Sequence, residues 1–302
     1  MRVGVLHNPR SHRNRQGIPP VADARIQAFA PATAHELDEA MNKLARSDID
    51  LLVIDGGDGT VRDVLTRALT RFSNLPAVAV VPHGKTNALA RDLDTPLHWS
   101  VEAAIAAMRS GSPRRTHRPV LQVIRPARPD IVLSGFIFGV GALVQGTQLA
   151  QKAHRAGLFN GVAVGASMAA FLASMLIGGR RSSSGGPIGL AFGNQVPESR
   201  KRFLVLASTL ERLPLRMRPF GKSRAGLKVI DVDAPPRRLL RALPPILSGR
   251  EPEWLAAAGY RRAQARELRV TGVDRFVLDG EILPADGCIM VREGPLIEFI
   301  TA

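Results

Sequence analysis

Cysteine, tyrosine, tryptophan, lysine and acidic residues are all scarce in this sequence of 302 residues. The single cysteine, Cys288, excludes an intrachain disulfide and fits a reducing, cytoplasmic compartment. One tyrosine and two tryptophans offer few platforms for stacking bases, which weighs against a single-strand nucleic-acid binder. Acidic residues number 26 against 41 Lys+Arg, a net charge of +15, and only six of the cations are lysine. An arginine-rich field favours polyanions: nucleic acid, an anionic bilayer or a nucleotide. Arginine enrichment across a genome would produce the same balance with no partner at all. The first residues, MRVGVLHNPR, lack the long apolar core of a secretory leader and read directly as a strand. Leu158–Gly179 is a long uncharged run, and Asn160, Gly161, Gly165, Ser167 and Ser174 interrupt it. A buried or membrane-facing helix is expected there rather than a span.

What is present is globular. Hydrophobic residues make up 45% and charged residues 22%, which excludes a disordered chain, and the length suits two domains. In the first half, apolar runs alternate with helical patterns. Val3–Leu6, Leu51–Ile54 and Ala77–Val81 read as strands, and Ala34–Arg46, Thr60–Leu69, Thr86–Leu93 and Val101–Met108 as helices. That alternation predicts an α/β domain over residues 1–115 with a parallel sheet, whose ligands bind beyond the carboxyl ends of the strands. After Pro113 short β runs follow, among them Val120–Ile124, Ile131–Phe138, Arg275–Leu278 and Leu296–Ile300. They predict a mostly antiparallel β domain over residues 116–302.

Chemistry concentrates in turns. Gly56-Gly57-Asp58-Gly59-Thr60 joins a strand to a helix; its glycines admit a phosphate close to the backbone, and the helix N-terminus presents unpaired amides. Asp58 can take a proton or meet Mg²⁺ beside the phosphates. A turn capped by Asp and Thr, with no ligand, would show the same residues. Pro82-His83-Gly84-Lys85-Thr86-Asn87 is a second strand-to-helix turn, expected beside the first. There Thr86 can cap the helix, and Asn87 can bond a base or ribose. Ala79 to Thr86 nearly spells a P-loop, but Ala79 takes the first glycine position and Val80 and Val81 belong to the strand. Asn8-Pro9-Arg10-Ser11 follows the first strand, with Arg13 and Arg15 close behind it, and offers donors and charge for phosphates.

In order and spacing, these motifs resemble the diacylglycerol kinase-like family of diacylglycerol, ceramide and sphingosine kinases. The family shows Asn-Pro-x-Ser-Gly, Gly-Gly-Asp-Gly-Thr and Pro-x-Gly-Thr-x-Asn turns, and a distant Asp-Gly-Glu, here Asp279-Gly280-Glu281. The resemblance implies the NAD kinase/diacylglycerol kinase-like α/β fold followed by a β-sandwich. It implies ATP and Mg²⁺ bound between the domains and γ-phosphoryl transfer to a lipid hydroxyl. Asn8, Pro9, Arg10, Ser11, Gly56–Thr60 and Gly84–Asn87 are then the ATP-binding set. Asp58, Asp279 and Glu281 are the catalytic candidates, with Asp58 and Asp279 also the candidates for metal. Asp279 and Glu281, one residue apart along an extended segment, would point the same way, and the choice of base stays open. A hairpin turn would explain Asp279-Gly280 by itself. His12 replaces the family's glycine, and Ala225-Gly226-Leu227 lacks the aspartate of a structural metal site.

Sphingosine kinases place an acidic residue near the amine-bearing head group, and the stretch that resembles theirs, Gly135–Gly141, holds none, so the resemblance implies a neutral acceptor, diacylglycerol or ceramide. The remaining alternatives are a sphingoid-base kinase, an NAD kinase, which shares the Gly-Gly-Asp-Gly turn, and a basic nucleic-acid-binding protein. Met168, Phe171, Leu172 and Met175 recur at helical spacing, as core or as the lining of an acyl groove. Peripheral association with an anionic membrane, on its inner face, completes the expectation.

Overall fold

A computed structural model describes residues 1–11, 23–155, 187–222 and 226–301. The segment Leu158–Gly179, its proposed lipid-lining residues and Ala225 lie outside them. The chain forms two compact units, Met1–Pro119 with Pro295–Ala302, and Val120–Gly294.

In the first unit, β1 (Val3–His7), β2 (Ile26–Phe29), β3 (Leu51–Gly56) and β4 (Ala77–Pro82) pair in parallel in the order β4-β3-β1-β2. β1, β3 and β4 are apolar almost throughout, as strands covered on both faces must be. Helices α1 (Ala34–Arg46) and α2 (Asp58–Arg71) pack on each other, while α4 (Val101–Arg109) buries Val101, Ala104 and Ile105 against Val3, Val5, Val53 and Val81. Between them lies the short α3 (Ala88–Asp92). β2 has no counterpart in the apolar pattern. It is a four-residue edge strand whose residues are all half-buried, so its sequence, IQAF, carries little strand signal.

The second unit is antiparallel. β5 (Arg114–Arg125), β6 (Arg128–Gly135), β7 (Ile137–Gly141), β8 (Pro187–Phe192), β9 (Glu198–Ser208), β10 (Leu227–Asp233), β11 (Tyr260–Ala265), β12 (Glu267–Leu278) and β13 (Glu281–Thr301) supply its strands. Alternate residues, among them Phe138, Val140, Val205, Ala207, Phe276 and Leu278, form one core, with the Phe138 and Phe276 rings 5.7 Å apart. α5 (Ala142–Arg155), a short 3₁₀ turn (Pro214–Arg216), α6 (Leu239–Ser248) and the one-turn α7 (Trp254–Ala257) complete the described elements.

Two sequence expectations change here. Ile131–Phe138 is not one strand, because the chain turns at Phe136 between β6 and β7. Leu296–Ile300 belongs to β13, but its end folds with the first unit, where Phe299 and Ile300 pair in parallel with Val78 and Ala79 of β4. An apolar strand carries no mark of which sheet will take it, and this return separates the units otherwise than a cut at 115/116.

Candidate functional site

Three polar turns leave the carboxyl ends of β1, β3 and β4, and side chains sew them together. Asn8 donates from Nδ2 to Thr60 Oγ1 at 2.7 Å, and its Oδ1 accepts the Arg10 amide at 2.9 Å. The first turn is thereby fastened to α2. The β3 and β4 turns meet backbone to backbone: a Cβ built on Gly84 would lie 2.4 Å from the Gly57 Cα, and one on Gly57 2.8 Å from the Gly84 Cα. Only glycine permits that approach.

The second turn is closed by Asn87. This buried side chain accepts the Gly84 amide at 2.9 Å and donates to the Gly84 and Pro82 carbonyls, while its backbone adopts φ +51°. Asn87 therefore shapes the loop, and its amide is not offered to a base or ribose. Nor does Thr86 cap α3. The cap comes from the other turn, as Asp58 Oδ1 accepts the Ala88 amide at 2.7 Å. Burial raises the Asp58 pKa above the ordinary carboxylate range, against the lowering by the Ala88, Leu89 and Asn87 amides. Asp58 thus latches the two glycine turns as well as carrying a carboxylate of increased basicity.

Beside these turns a cavity of about 460 Å³ opens in the first unit. It brings together Asn8, Arg10, Ser11, Gly57, Gly59 and Thr60. Pro9, Gly56, Asp58 and Gly84–Asn87 do not line it. Among the lining residues that carry no signal in the sequence reading are His7, Thr33, Asp63 and Arg67. Thr33 caps α1, accepting the Glu36 amide, and Glu36 in return accepts the Ala32 amide at 2.7 Å. A Thr-x-x-Glu capping box just before an apolar-periodic run was the readable clue. Thr33, Gly57 and Gly59 bring the first turns of α1 and α2 to the cavity wall, where the positive ends of both helices favour an anion.

Under the turns lies a cluster that sequence analysis missed. Buried Asp55, near the end of β3, receives His7 Nδ1 at 2.7 Å on one carboxylate oxygen and His83 Nδ1 on the other. The three residues lie 48 and 28 positions apart, and only the register of β1, β3 and β4 brings them together.

The Asp279-Gly280-Glu281 motif sits in the second unit. Asp279 and Gly280 have φ of +48° and +84° and form the two-residue turn of the β12–β13 hairpin, in which Leu278 pairs with Glu281. They are not part of an extended segment, so Asp279 and Glu281 do not point alike. The Asp279 carboxylate accepts the Phe136 amide at 3.1 Å and the Ile137 amide at 2.9 Å, and the Asp279 amide donates to the Ile137 carbonyl. That explains why the chain turns at Phe136. It also gives the Asp279 carboxylate a structural duty, as the Ala88 amide gives Asp58. Glu281 is exposed at the start of β13. Among the described residues no group of three or more His, Cys, Asp or Glu is placed to hold a metal.

Comparison with known proteins agrees with this architecture. Residues 2–118 match the diacylglycerol kinase catalytic domain. A diacylglycerol kinase from Bacillus subtilis (strain 168) is 30% identical over 111 residues, 34% of this chain and 36% of that protein. The match thus spans only about a third of that relative's length. Two crystal structures from Bacillus anthracis str. Sterne, of a diacylglycerol kinase and of a putative diacylglycerol kinase, cover all of this chain. Their TM-scores are 0.65 and 0.66 at 14% and 16% identity, and each is covered to 97%. At that identity they show a shared fold over the whole chain.

Proposed function

We propose that this chain, whose residues 2–118 match the diacylglycerol kinase catalytic domain, is a lipid kinase of that family that moves the γ-phosphoryl group of MgATP to the hydroxyl of a neutral lipid, diacylglycerol or ceramide. The observation that carries the reading is the pair of glycine turns in backbone contact, latched by Asp58, beside a cavity with two helix N-termini at its wall.

Phosphoryl transfer asks the protein for positioning and charge neutralisation more than for covalent chemistry. Gly57, Gly59 and the first amides of α2 are the phosphate cradle, with Arg10 and Ser11 facing the same cavity. Asp58 is the preferred base. Its Oδ1 is anchored on the Ala88 amide, which fixes the carboxylate, and burial makes it a better proton acceptor for the lipid hydroxyl. Glu281 is the competing base, while Asp279 positions the Phe136 corner. A Mg²⁺ ion bound with the nucleotide would be held by Asp58 and would supply neutralisation of the phosphate charge. The choice of a neutral acceptor rests on Gly135–Gly141, which has no acidic side chain to pair with an amine. The enzyme would work at the cytoplasmic face of a membrane; among the described residues no helix is long and apolar enough to cross one.

The deciding experiment is incubation with MgATP and a total lipid extract, followed by mass spectrometry of new phospholipids. Phosphatidic acid or ceramide phosphate is the expected product. Phosphorylated sphingoid base instead would move the reading to the sphingosine branch, and NADP formation from added NAD with no lipid product would overturn it.

A further inference from the structure

A surface helix ordinarily turns charged residues to water, and α6 does not. Its ten residues, LLRALPPILS, contain one charge, Arg241. Ala242 and Ile246 are buried, while Leu240 on the outside is 69% exposed and Pro244 is exposed as well. Leu240, Leu243 and Leu247 repeat at i, i+3 and i+7, so the helix has a second apolar stripe, and among the described residues its first leucine is left largely uncovered. The neighbouring turn adds to it. Leu215 is 57% exposed, and both it and Arg216 take positive φ, +61° and +58°, which side chains other than glycine adopt only under constraint. Leu213 and Met217 close that turn as a bridge, and the Arg218 amide fastens it to the Leu247 carbonyl at the end of α6. Two apolar protrusions are thus held out on one tied substructure.

The charge close to them in sequence is mostly positive. Arg237 and Arg238 precede the helix, Arg250 follows it, and Arg216 and Arg218 flank the Leu215 turn. None of these five forms an ion pair among the described residues, whereas Arg202, Arg261 and Arg262 of the same unit all do. The sixth, Arg241, lies 5.1 Å over the Trp254 ring. The nearby acids in sequence are Glu211, Asp233, which pairs with Arg261, Glu251, which pairs with Arg262, and Glu253. Exposed leucines with unpaired arginines beside them in sequence match a bilayer with anionic headgroups: arginine engages lipid phosphates in a forked, two-bond geometry, while leucine enters the acyl boundary.

We propose that the first turn of α6 and the Leu215 turn form the surface by which this protein docks on an anionic membrane. The choice of a membrane rests on the lipid-kinase reading above; the surface itself rests on the residues just named. The docking deepens that reading, because an enzyme whose acceptor stays in the bilayer must be held there while it works.

The test is co-sedimentation of the full chain with phosphatidylcholine vesicles, with and without phosphatidylglycerol, in the absence of ATP. The unaltered protein is expected to pellet only with the anionic vesicles and to be released by salt. Arg237→Ser with Arg238→Ser should weaken that partition about thirtyfold, at about 1 kcal/mol per arginine near a charged surface. Leu240→Ser should weaken it about tenfold by removing apolar area from the bilayer. Both changes are at exposed positions, so the melting temperature should stay the same, as should turnover of a water-soluble short-chain acceptor. Equal pelleting with neutral vesicles, or unchanged pelleting of both variants, would overturn the proposal. So would self-association that is lost with Leu240→Ser while vesicle binding persists. A protein that docks as described and phosphorylates no lipid defeats the kinase reading and leaves the surface standing.

Discussion

Gly59 separates a structural glycine from a ligand-facing one, and its replacement by alanine gives the sharpest test of the phosphate cradle. It is the second residue of α2, and a Cβ built there meets nothing within 4 Å. Its neighbours differ: Gly57 and Gly84 would collide with backbone at 2.8 and 2.4 Å. Folding alone therefore gives no reason for glycine at 59. Replacing a helical glycine by alanine stabilises by about 0.4–1 kcal/mol through the unfolded chain. For a protein of this size that raises the melting temperature by roughly 1–4 °C. If a phosphate lies against the α2 amides, however, the new methyl group stands where its oxygens approach. A charge-assisted hydrogen bond of about 1.5–3 kcal/mol is then lost or stretched. The expected result is a protein more heat-stable than the original, with kcat/KM for ATP reduced about ten- to hundredfold. Calorimetry and a radiolabelled transfer assay read the two effects separately. A stabilised Gly59→Ala variant that keeps its activity within about threefold, under 1 kcal/mol of barrier, would refute the cradle.

The remaining predictions concern the latches. Asp58→Asn keeps an oxygen for the Ala88 amide, so the fold should survive while turnover falls at least about a hundredfold; activity within tenfold would show that Asp58 is not the base. The raised pKa of Asp58 means that the folded protein holds this proton more tightly than the unfolded chain does. Its contribution to stability is full below the ordinary value of 3.8 and is lost as pH rises through the raised value, so Asp58→Asn should gain in urea resistance relative to the original near neutral pH. Gly84→Ala forces the turns apart, because its Cβ falls 2.4 Å from the Gly57 Cα. A cost of about 1–3 kcal/mol in urea unfolding and loss of transfer should appear together. Asp279→Ala strands the Phe136 and Ile137 amides and should cost about 2–4 kcal/mol, whereas Asp279→Asn, which retains an acceptor, should cost less.

The readable parts of this molecule were those in which local pattern and local function coincide. β3 ends in a glycine turn that opens α2, and β4 in one that opens α3, so an apolar run, a turn and a helix announced both the sheet and the site. Asn8 was found the same way, as a polar residue directly after β1. What stayed hidden depends on register between distant strands. His7, Asp55 and His83 look like unrelated polar residues until β1, β3 and β4 bring them level. The return of Phe299 and Ile300 to β4 is hidden for the same reason: an apolar strand end will satisfy any sheet edge of matching length. Thr33 and Glu36 were legible in principle, since a capping box is a local signal, but their place beside the cavity follows only from the packing of α1 on α2.

The carboxylates expose a more general difficulty in reading chemistry from residue type. Asp58 and Asp279 both sit in glycine-containing turns of family motifs, and both invite assignment as base or metal ligand. In the folded chain each reaches a second loop and accepts its amides, Ala88 for Asp58 and Phe136 with Ile137 for Asp279. An alanine at either position removes an acceptor before it removes any catalytic group, so loss of activity in such a variant cannot by itself identify a base. The asparagine variants separate the two roles, because an amide oxygen still accepts a hydrogen bond while the amide group cannot take a proton at working pH. Under the reading argued here the pair should diverge. Asp58→Asn should be folded and inactive, since burial already favours protonation of that carboxyl. Asp279→Asn should be close to folded and partly active, since its carboxylate serves the corner at Phe136. If instead Asp279→Asn is the inactive one and Asp58→Asn turns over normally, Asp279 does the chemistry and Asp58 is only a latch.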